Sequence, residues 1–388
     1  VQFTVTQFLP ATPRAVWPFI TVPALMNRWS TAKIRLLAHG DGDDAWAEGT
    51  LRNVTIRSLG RKVASFDEVV QVARPPERFV YRVVHGVPLR HHRGEITLRA
   101  VEGGTELSWT VALEFPLPGM AFAARHLVLE RELRESLHVL AKEVVGAPEA
   151  KFPAYREIDE AGDLPSLYAA AEEIFREQRA LADLLQTQGD PKRWFARVYQ
   201  FVTRAQIDAC HSGEFAHPAW VLRLVPRFHF YFAHNLEAWR DGDVSCEKHW
   251  ASSFLAMDKA REWKGGPVGE IAYGIAKGMQ AHIEEDLPRT LAEIYHWYYR
   301  DKCRYGRFRA DYLLMGPIFR KCAAEMLDYV PAGHLPLPAR LFERHAPPEL
   351  KDGLMARYYY DIGRERRKTF ERGERLANLM AGADRPGS

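Results

Sequence analysis

The feature that most constrains this chain is a change of hydrophobic period near residue 115. Before it, apolar and polar residues alternate along Val1 to Phe8, Leu51 to Ser58, Lys62 to Val72, Arg78 to His85, Arg90 to Ala100 and Thr105 to Phe115. A period of two puts every second side chain on one face of a strand. Turn chemistry separates these runs: Gly40-Asp41-Gly42-Asp43, Pro75-Pro76, Gly86-Val87-Pro88 and Gly103-Gly104. Between the first two strands, Pro13 to Ile20 reads as a short helix with proline in its first turn. After residue 115 the spacing becomes three and four. Phe122, His126, Leu129, Leu133, Leu137, Leu140 and Val144 predict one continuous stripe on a helix from Pro118 to Val145.

The stretch 147–165 breaks the periodicity with proline, glycine and charge, and is expected to be a linker. Beyond it the pattern is helical. Helices are expected at Ser166–Gln188, Pro191–His211, Pro218–Arg240, Ser245–Trp263, Pro267–Arg300, Lys302–Tyr329 and Asp352–Met380, with Pro226, Pro288 and Pro317 kinking or splitting three of them. The expected domains are therefore 1–146, an antiparallel sheet closed by a long helix, and 166–388, an all-α bundle. A length of 388 residues accommodates two such cores.

Charge narrows the partners. A net charge of +3 from 53 basic and 50 acidic residues gives no concentrated basic face, and argues against nucleic acid. No apolar run approaches the ~20 residues that a bilayer requires. The first residues lack the layout of a signal peptide, so a cytoplasmic location is expected. Cys210, Cys246, Cys303 and Cys322 form no Cys-x-x-Cys pair and are expected as reduced thiols. Glu365, Glu371 and Glu374 interleave with Arg364, Arg366, Arg367 and Lys368, which suits a solvated helix face. Oligomeric state is left open.

Several short motifs stand in a fixed order in the first part: Ala11-Thr12-Pro13-Arg14-Ala15-Val16-Trp17, Asn27-Arg28-Trp29, Tyr81 followed by His85-Gly86-Val87-Pro88, and Gly103-Gly104-Thr105-Glu106-Leu107-Ser108-Trp109. Together with the helix after Pro118 they resemble the polyketide cyclase/dehydratase branch of the START-like (Bet v 1-type, SRPBCC) superfamily over about residues 1–146. The resemblance implies an α+β helix-grip fold and an apolar cavity; it carries over no catalytic set. Strand parity supplies the cavity-facing residues. Leu107, Trp109, Val111 and Leu113 share one face, Phe79, Tyr81, Val83 and His85 another, and His92 sits with Ile96 and Leu98. Tyr81, His85, His92 and His126 are the groups expected to orient a ligand or move protons, with Phe79, Leu107, Trp109, Val111 and Phe122 as its apolar contacts.

In the helical part, Gly278-Met279-Gln280-Ala281-His282-Ile283-Glu284-Glu285-Asp286-Leu287-Pro288 places His282 and Asp286 four apart on one helix face. That spacing suits two ligands of one metal, or a carboxylate that fixes the tautomer of a histidine base. A metal needs more ligands, for which His229, His234, Glu237, His249 and Asp258 are available; zinc is the natural guess. The run Phe195-x-x-Val198-Tyr199-x-x-Val202-Thr203, with Gly213-x-Phe215-x-x-Pro218-x-Trp220, Phe232-Ala233-His234-Asn235-Leu236 and Ala281-His282-Ile283-x-x-Asp286-Leu287-Pro288, resembles a bacterial all-helical family of unknown function. Its hallmark reads roughly Asn-Ala-His-Ile-Asn-x-Asp-Leu-Pro, and this chain departs from it at Gln280 and Glu284. The resemblance points at His282 and Asp286 and implies no activity. The His-x-x-x-Asp spacing is also similar to a helix of zinc-dependent phospholipase C and S1-type nucleases, without the histidine that comes next there.

Three functions fit these observations. The first is an enzyme of specialised metabolism that cyclises or dehydrates an apolar, polyketide-like molecule in the N-terminal cavity. The second is a non-catalytic carrier or sensor of a lipid or hydrophobic metabolite. The third is a metal-dependent enzyme centred on His282 and Asp286. Neither a phosphate-cradling glycine loop nor a Gly-x-Ser-x-Gly elbow is present, which disfavours nucleotide-dependent and α/β-hydrolase chemistry.

Overall fold

A computed structural model describes residues 1–58, 61–87, 89–115, 119–153, 155–260, 266–318, 322, 325, 345–346 and 362–383. The chain forms two compact units. The first comprises Val1–Ile158 and Lys302–Asp311, the second Asp159–Asp301 and Tyr312–Ser388. Among the described residues no helix is long and apolar enough to cross a membrane.

The first unit is an antiparallel sheet of seven strands. They are β1 (Gln2–Leu9), β2 (Ala32–Ala38), β3 (Leu51–Ser58), β4 (Arg61–Arg74), β5 (Arg78–His85), β6 (His91–Val101) and β7 (Gly104–Glu114), in the order β1-β7-β6-β5-β4-β3-β2. Strand β2 was not expected: its bulge between Leu36 and Ala38 interrupts the alternation that marks the others. Two short helices link β1 to β2, α1 (Pro13–Thr21) and α2 (Pro23–Trp29). The Thr12 hydroxyl caps α1 by accepting from the Ala15 amide, and Pro13 fills the first turn, where a missing N–H costs nothing.

The concave face of the sheet carries Phe3, Val5, Val54, Val70, Phe79, Ile96, Leu107, Trp109 and Val111, which pack with Trp17 and Trp29 into one core. Each fully buried side chain of this size contributes ~1.5–3 kcal/mol. The closing helix supplies Leu137, Leu140 and Val144 to the same core. It is not the uninterrupted stripe expected from Pro118 on. Helix α3 (Met120–Ala124) and helix α4 (Glu130–Glu143) are joined by a π-turn, Arg125–Leu129. A π-turn widens the helix and rotates the turns before it relative to the turns after it. The stripe therefore holds from Leu129 onward and fails before it: Phe122 is 62% exposed and lies against the exposed His126, the two rings tilted at 55°.

The first unit continues past α4. Ala147 and Phe152, in the stretch expected to be a linker, pack against its core. A second contribution comes from residues 302–311. Their expected long helix is instead a 3-10 turn (Tyr305–Phe308) followed by a short helix, Arg309–Leu314. Arg307 reaches Glu48 at 2.9 Å and Asp41 at 3.0 Å, Arg304 reaches Asp43 at 2.7 Å, and Arg309 donates to the carbonyls of His39 and Gly49. Backbones meet here: a Cβ on Gly49, which has φ +82, would stand 1.8 Å from the Gly306 carbonyl oxygen. Glu48 is almost fully buried, and burial pushes its carboxyl up although Arg307 pulls it down.

The second unit is helical. It contains α5 (Leu164–Thr187), α6 (Arg193–His211), α7 (Pro218–Asp241), α8 (Lys248–Ala260), α9 (Gly266–Ala281), α10 (Leu287–Tyr298) and α12 (Ile362–Ala383), the helix at Arg309–Leu314 being α11. The helix expected from Pro267 to Arg300 with a kink or split at Pro288 is interrupted there. A π-turn at His282–Asp286 separates α9 from α10, Pro288 is in the first turn of α10, and the Thr369 hydroxyl donates to the Ile283 carbonyl. Pro226 lies inside α7, which runs on through it. The expected helix Asp352–Met380 is seen as α12, and 352–361 lie outside the described residues.

Candidate functional site

Two buried polar clusters stand out, one in each unit. The first is on the concave face of the sheet. Arg52 on β3 and Glu68 on β4 are cross-strand partners, and both point inward with Val54 and Val70. They are 1% and 4% exposed, and the guanidinium Nη2 meets the carboxylate at 2.5 Å. Arg52 also donates to the Thr21 carbonyl at 3.3 Å and lies 5.0 Å from the centre of the Phe79 ring. Its Nε is buried with no hydrogen-bond partner among the described residues. Burial pushes the Glu68 carboxyl above the usual range against the pull of Arg52.

Tyr81 and His92 adjoin this pair. The Trp109 indole donates to the Tyr81 hydroxyl at 3.1 Å, and burial, with the Glu68 charge adding to it, raises the phenol. The Tyr81 and His92 rings are 5.6 Å apart. His92 Nδ1 accepts the Val83 amide at 3.1 Å, so Nε2 carries the proton of the neutral ring. Burial depresses this imidazole to about 3, with Arg82 and His91 adding to the effect. Gly94 makes room for the tyrosine: a Cβ there would lie 2.2 Å from its ring.

Of the residues expected to line a cavity, Tyr81, His92, Phe79, Leu107, Trp109 and Val111 share this face. His85 does not join them. It is exposed at the end of β5 and stands 3.7 Å from Asp67. His126 and Phe122 are exposed on the closing helix. Sequence inspection missed Arg52 and Glu68. Their signal was parity, since each sits two residues before a core valine on its own strand.

The second cluster surrounds the π-turn of the helical unit. The pair expected from the four-residue spacing is formed: His282 Nδ1 is 3.0 Å from Asp286 Oδ2. The Trp250 indole donates to the same oxygen at 3.0 Å, and His249 Nε2 meets the other at 3.1 Å. Asp286 has no exposed surface. Burial alone would raise its carboxyl, but the hydrogen bonds from His249 and His282 outweigh burial and hold it below its usual value. An ionised carboxylate only accepts, so His282 carries its proton on Nδ1. Nε2 is then a lone pair, and it is buried with no hydrogen-bond partner among the described residues. Burial lowers the His282 pKa, and Asp286 only partly restores it.

His282 is packed by Phe195, Tyr199, Phe228 and Trp250, with ring centres at 5.6, 4.9, 3.8 and 6.0 Å. It lines an apolar pocket shared with Val202, Leu224 and Met279, in which the space open to the centre of a water-sized molecule is about 50 Å³. The metal set imagined around His282 and Asp286 is not assembled. His229 Nε2 faces Glu177 at 3.5 Å, and His234 is exposed, stacked on Phe230. Among the described residues no group of three or more His, Cys, Asp and Glu side chains is placed to hold a metal ion.

Comparison with known proteins divides the chain as the two textures do. Residues 1–145 match the family described as polyketide cyclase / dehydrase and lipid transport. Residues 171–361 match a family of unknown function, DUF5995. No curated protein matches the chain. Solved structures similar to the cyclase/dehydrase-type part include a Rhodobacter sphaeroides protein, at 22% identity over 37% of this chain and 93% of that one, with a TM-score of 0.31. A Thermus thermophilus protein is 18% identical over 38% and 98%, with a TM-score of 0.31. A Chromobacterium violaceum protein is 20% identical over 37% and 96%, with a TM-score of 0.29.

Proposed function

We propose that the cyclase/dehydrase-type unit binds an apolar small molecule against its concave face and moves protons on it, as a cyclisation or dehydration requires. The observation that supports this is the cluster of buried Arg52 and Glu68 with half-buried Tyr81 and His92 on an otherwise apolar core face. A guanidinium whose Nε finds no acceptor is costly to bury and suits an oxygen of the ligand. Glu68, its proton affinity raised by burial, is suited to take a proton from the ligand. In a dehydration Glu68 takes the proton beside a ketone, Arg52 steadies the charge that develops on the ketone oxygen, and Tyr81 gives its proton to the departing hydroxyl, which leaves as water; the proton on Glu68 then passes back to Tyr81.

The test uses the full chain with a β-hydroxy ketone carrying an alkyl or aryl tail. Enone formation is followed by absorbance and occupancy by native mass spectrometry. Enone formation that falls ~10²-fold or more in Tyr81→Phe supports the proposal. Retention of the compound unchanged assigns carriage instead, a role that the wording of the matched family, lipid transport, also covers. Failure to bind any such compound refutes both.

A further inference from the structure

The helical unit offers a second site that is independent of the one above. We propose that the pocket beside His282 takes a single-ring phenol, held by a hydrogen bond from the phenolic hydroxyl to His282 Nε2. Three facts converge on that atom. His282 is 6% exposed, and its Nε2 has no hydrogen-bond partner among the described residues. A buried acceptor left unsatisfied costs ~1–3 kcal/mol, so a donor entering the pocket recovers it. Asp286 holds the opposite edge of the ring at 3.0 Å and thereby fixes the tautomer that leaves Nε2 bare. Asp286 is in turn anchored by Trp250 and His249, so the imidazole is set before any ligand arrives.

The class of ligand is set by size and wall chemistry. About 50 Å³ of space for water-sized centres, at ~10–15 Å³ per water, corresponds to a handful of waters, or one small ring rather than a fused system. Phe195, Tyr199 and Phe228 meet the imidazole edge to face, and another aromatic ring fits among such walls. An ionised carboxylate has no proton to offer Nε2 and would oppose its lone pair. The guanidinium on the same wall, Arg366, already donates Nη2 to the Tyr312 carbonyl at 2.9 Å. A phenol keeps its proton at neutral pH and donates it. Asp286 acts through His282 and is a positioning residue.

The experiment compares 4-methylphenol with 4-methylanisole, its methyl ether, by calorimetry on the full chain, and records the imidazole nitrogens by long-range ¹H–¹⁵N NMR. The expected result is phenol binding ~2–10-fold tighter than the ether, the range of a neutral hydrogen bond. The Nε2 resonance of His282 shifts on addition while Nδ1 stays protonated. His282→Leu brings phenol affinity down to that of the ether, and Asp286→Asn mixes the two tautomers in the spectrum. Equal affinity for the two compounds, no binding of either, or a shift at His92 in place of His282 overturns the proposal. If His282→Leu fails to fold, the ether comparison and the wild-type spectrum decide alone.

Discussion

Glu68→Leu removes the carboxylate that Arg52 meets at 2.5 Å and leaves a guanidinium that is 1% exposed. At that distance and an effective dielectric of ~20, the gross attraction is roughly 7 kcal/mol. Desolvation of both groups takes back most of it, so the pair contributes little net stability. Stranding one member is different: an uncompensated buried charge costs ~3–5 kcal/mol. The double change Arg52→Met with Glu68→Leu removes both charges and is expected to be near neutral or stabilising by ~1–4 kcal/mol. Because the chain has two units, one global transition would mix them. Hydrogen exchange at the amides of β3 and β4 reports the first unit alone. At ~1.4 kcal/mol per factor of ten, the single change should speed exchange more than a hundredfold, and the double change should return it to wild type or below. Exchange as fast in the double as in the single variant would refute the assignment of the cost to a stranded charge.

Three further outcomes are expected. Gly94→Ala puts a methyl 2.2 Å from the Tyr81 ring; the overpacking should cost ~1–3 kcal/mol, and the Trp109 indole NMR signal should report loss of its bond to Tyr81. Asp286→Ala strands the buried donors of His282 and Trp250 and that of the half-buried His249, and should cost ~1–3 kcal/mol for each buried one, read as faster exchange along α10, with Asp286→Asn milder. His229 is held neutral by burial, aided by His282, at about 4. The unfolded chain binds that proton first, so the stability is complete above pH ~6.5 and is lost as pH falls toward 4, by ~2 kcal/mol between 6.5 and 5. Urea midpoints at pH 7 and 5 should show that loss, and His229→Gln should reduce it.

The strands were legible because alternation is a local signal, and the Arg78–His85 strand was read to the residue. What escaped had a weak or misleading local signature. β2 is bulged at Leu36, so its side chains do not alternate cleanly. Arg52 and Glu68 looked like solvent-facing residues because charge on a strand usually is; their cross-strand register is set by pairing rather than by sequence distance. The two π-turns had opposite consequences. The one at Arg125–Leu129 turned Phe122 and His126 away from the stripe, whereas the one at His282–Asp286 kept the expected His–Asp pair at 3.0 Å. The other two partners, His249 and Trp250, come from another helix; His249 was named only as one of several candidate ligands, and Trp250 was not foreseen.

The arginines of residues 302–311 also govern the order of assembly. Arg307 and Asp41 are 266 positions apart in the chain. During synthesis the first 158 residues leave the ribosome long before Arg307 does, so Glu48 waits without its partner while the whole of Asp159–Asp301 is made. At ~5–20 residues per second that interval lasts some seconds to half a minute. The sheet can pair during that time, but its Gly40–Thr50 edge closes only when the distant segment arrives. A fragment ending at residue 158, or one ending within 159–301, would keep that edge permanently open, with a buried acid facing no cation.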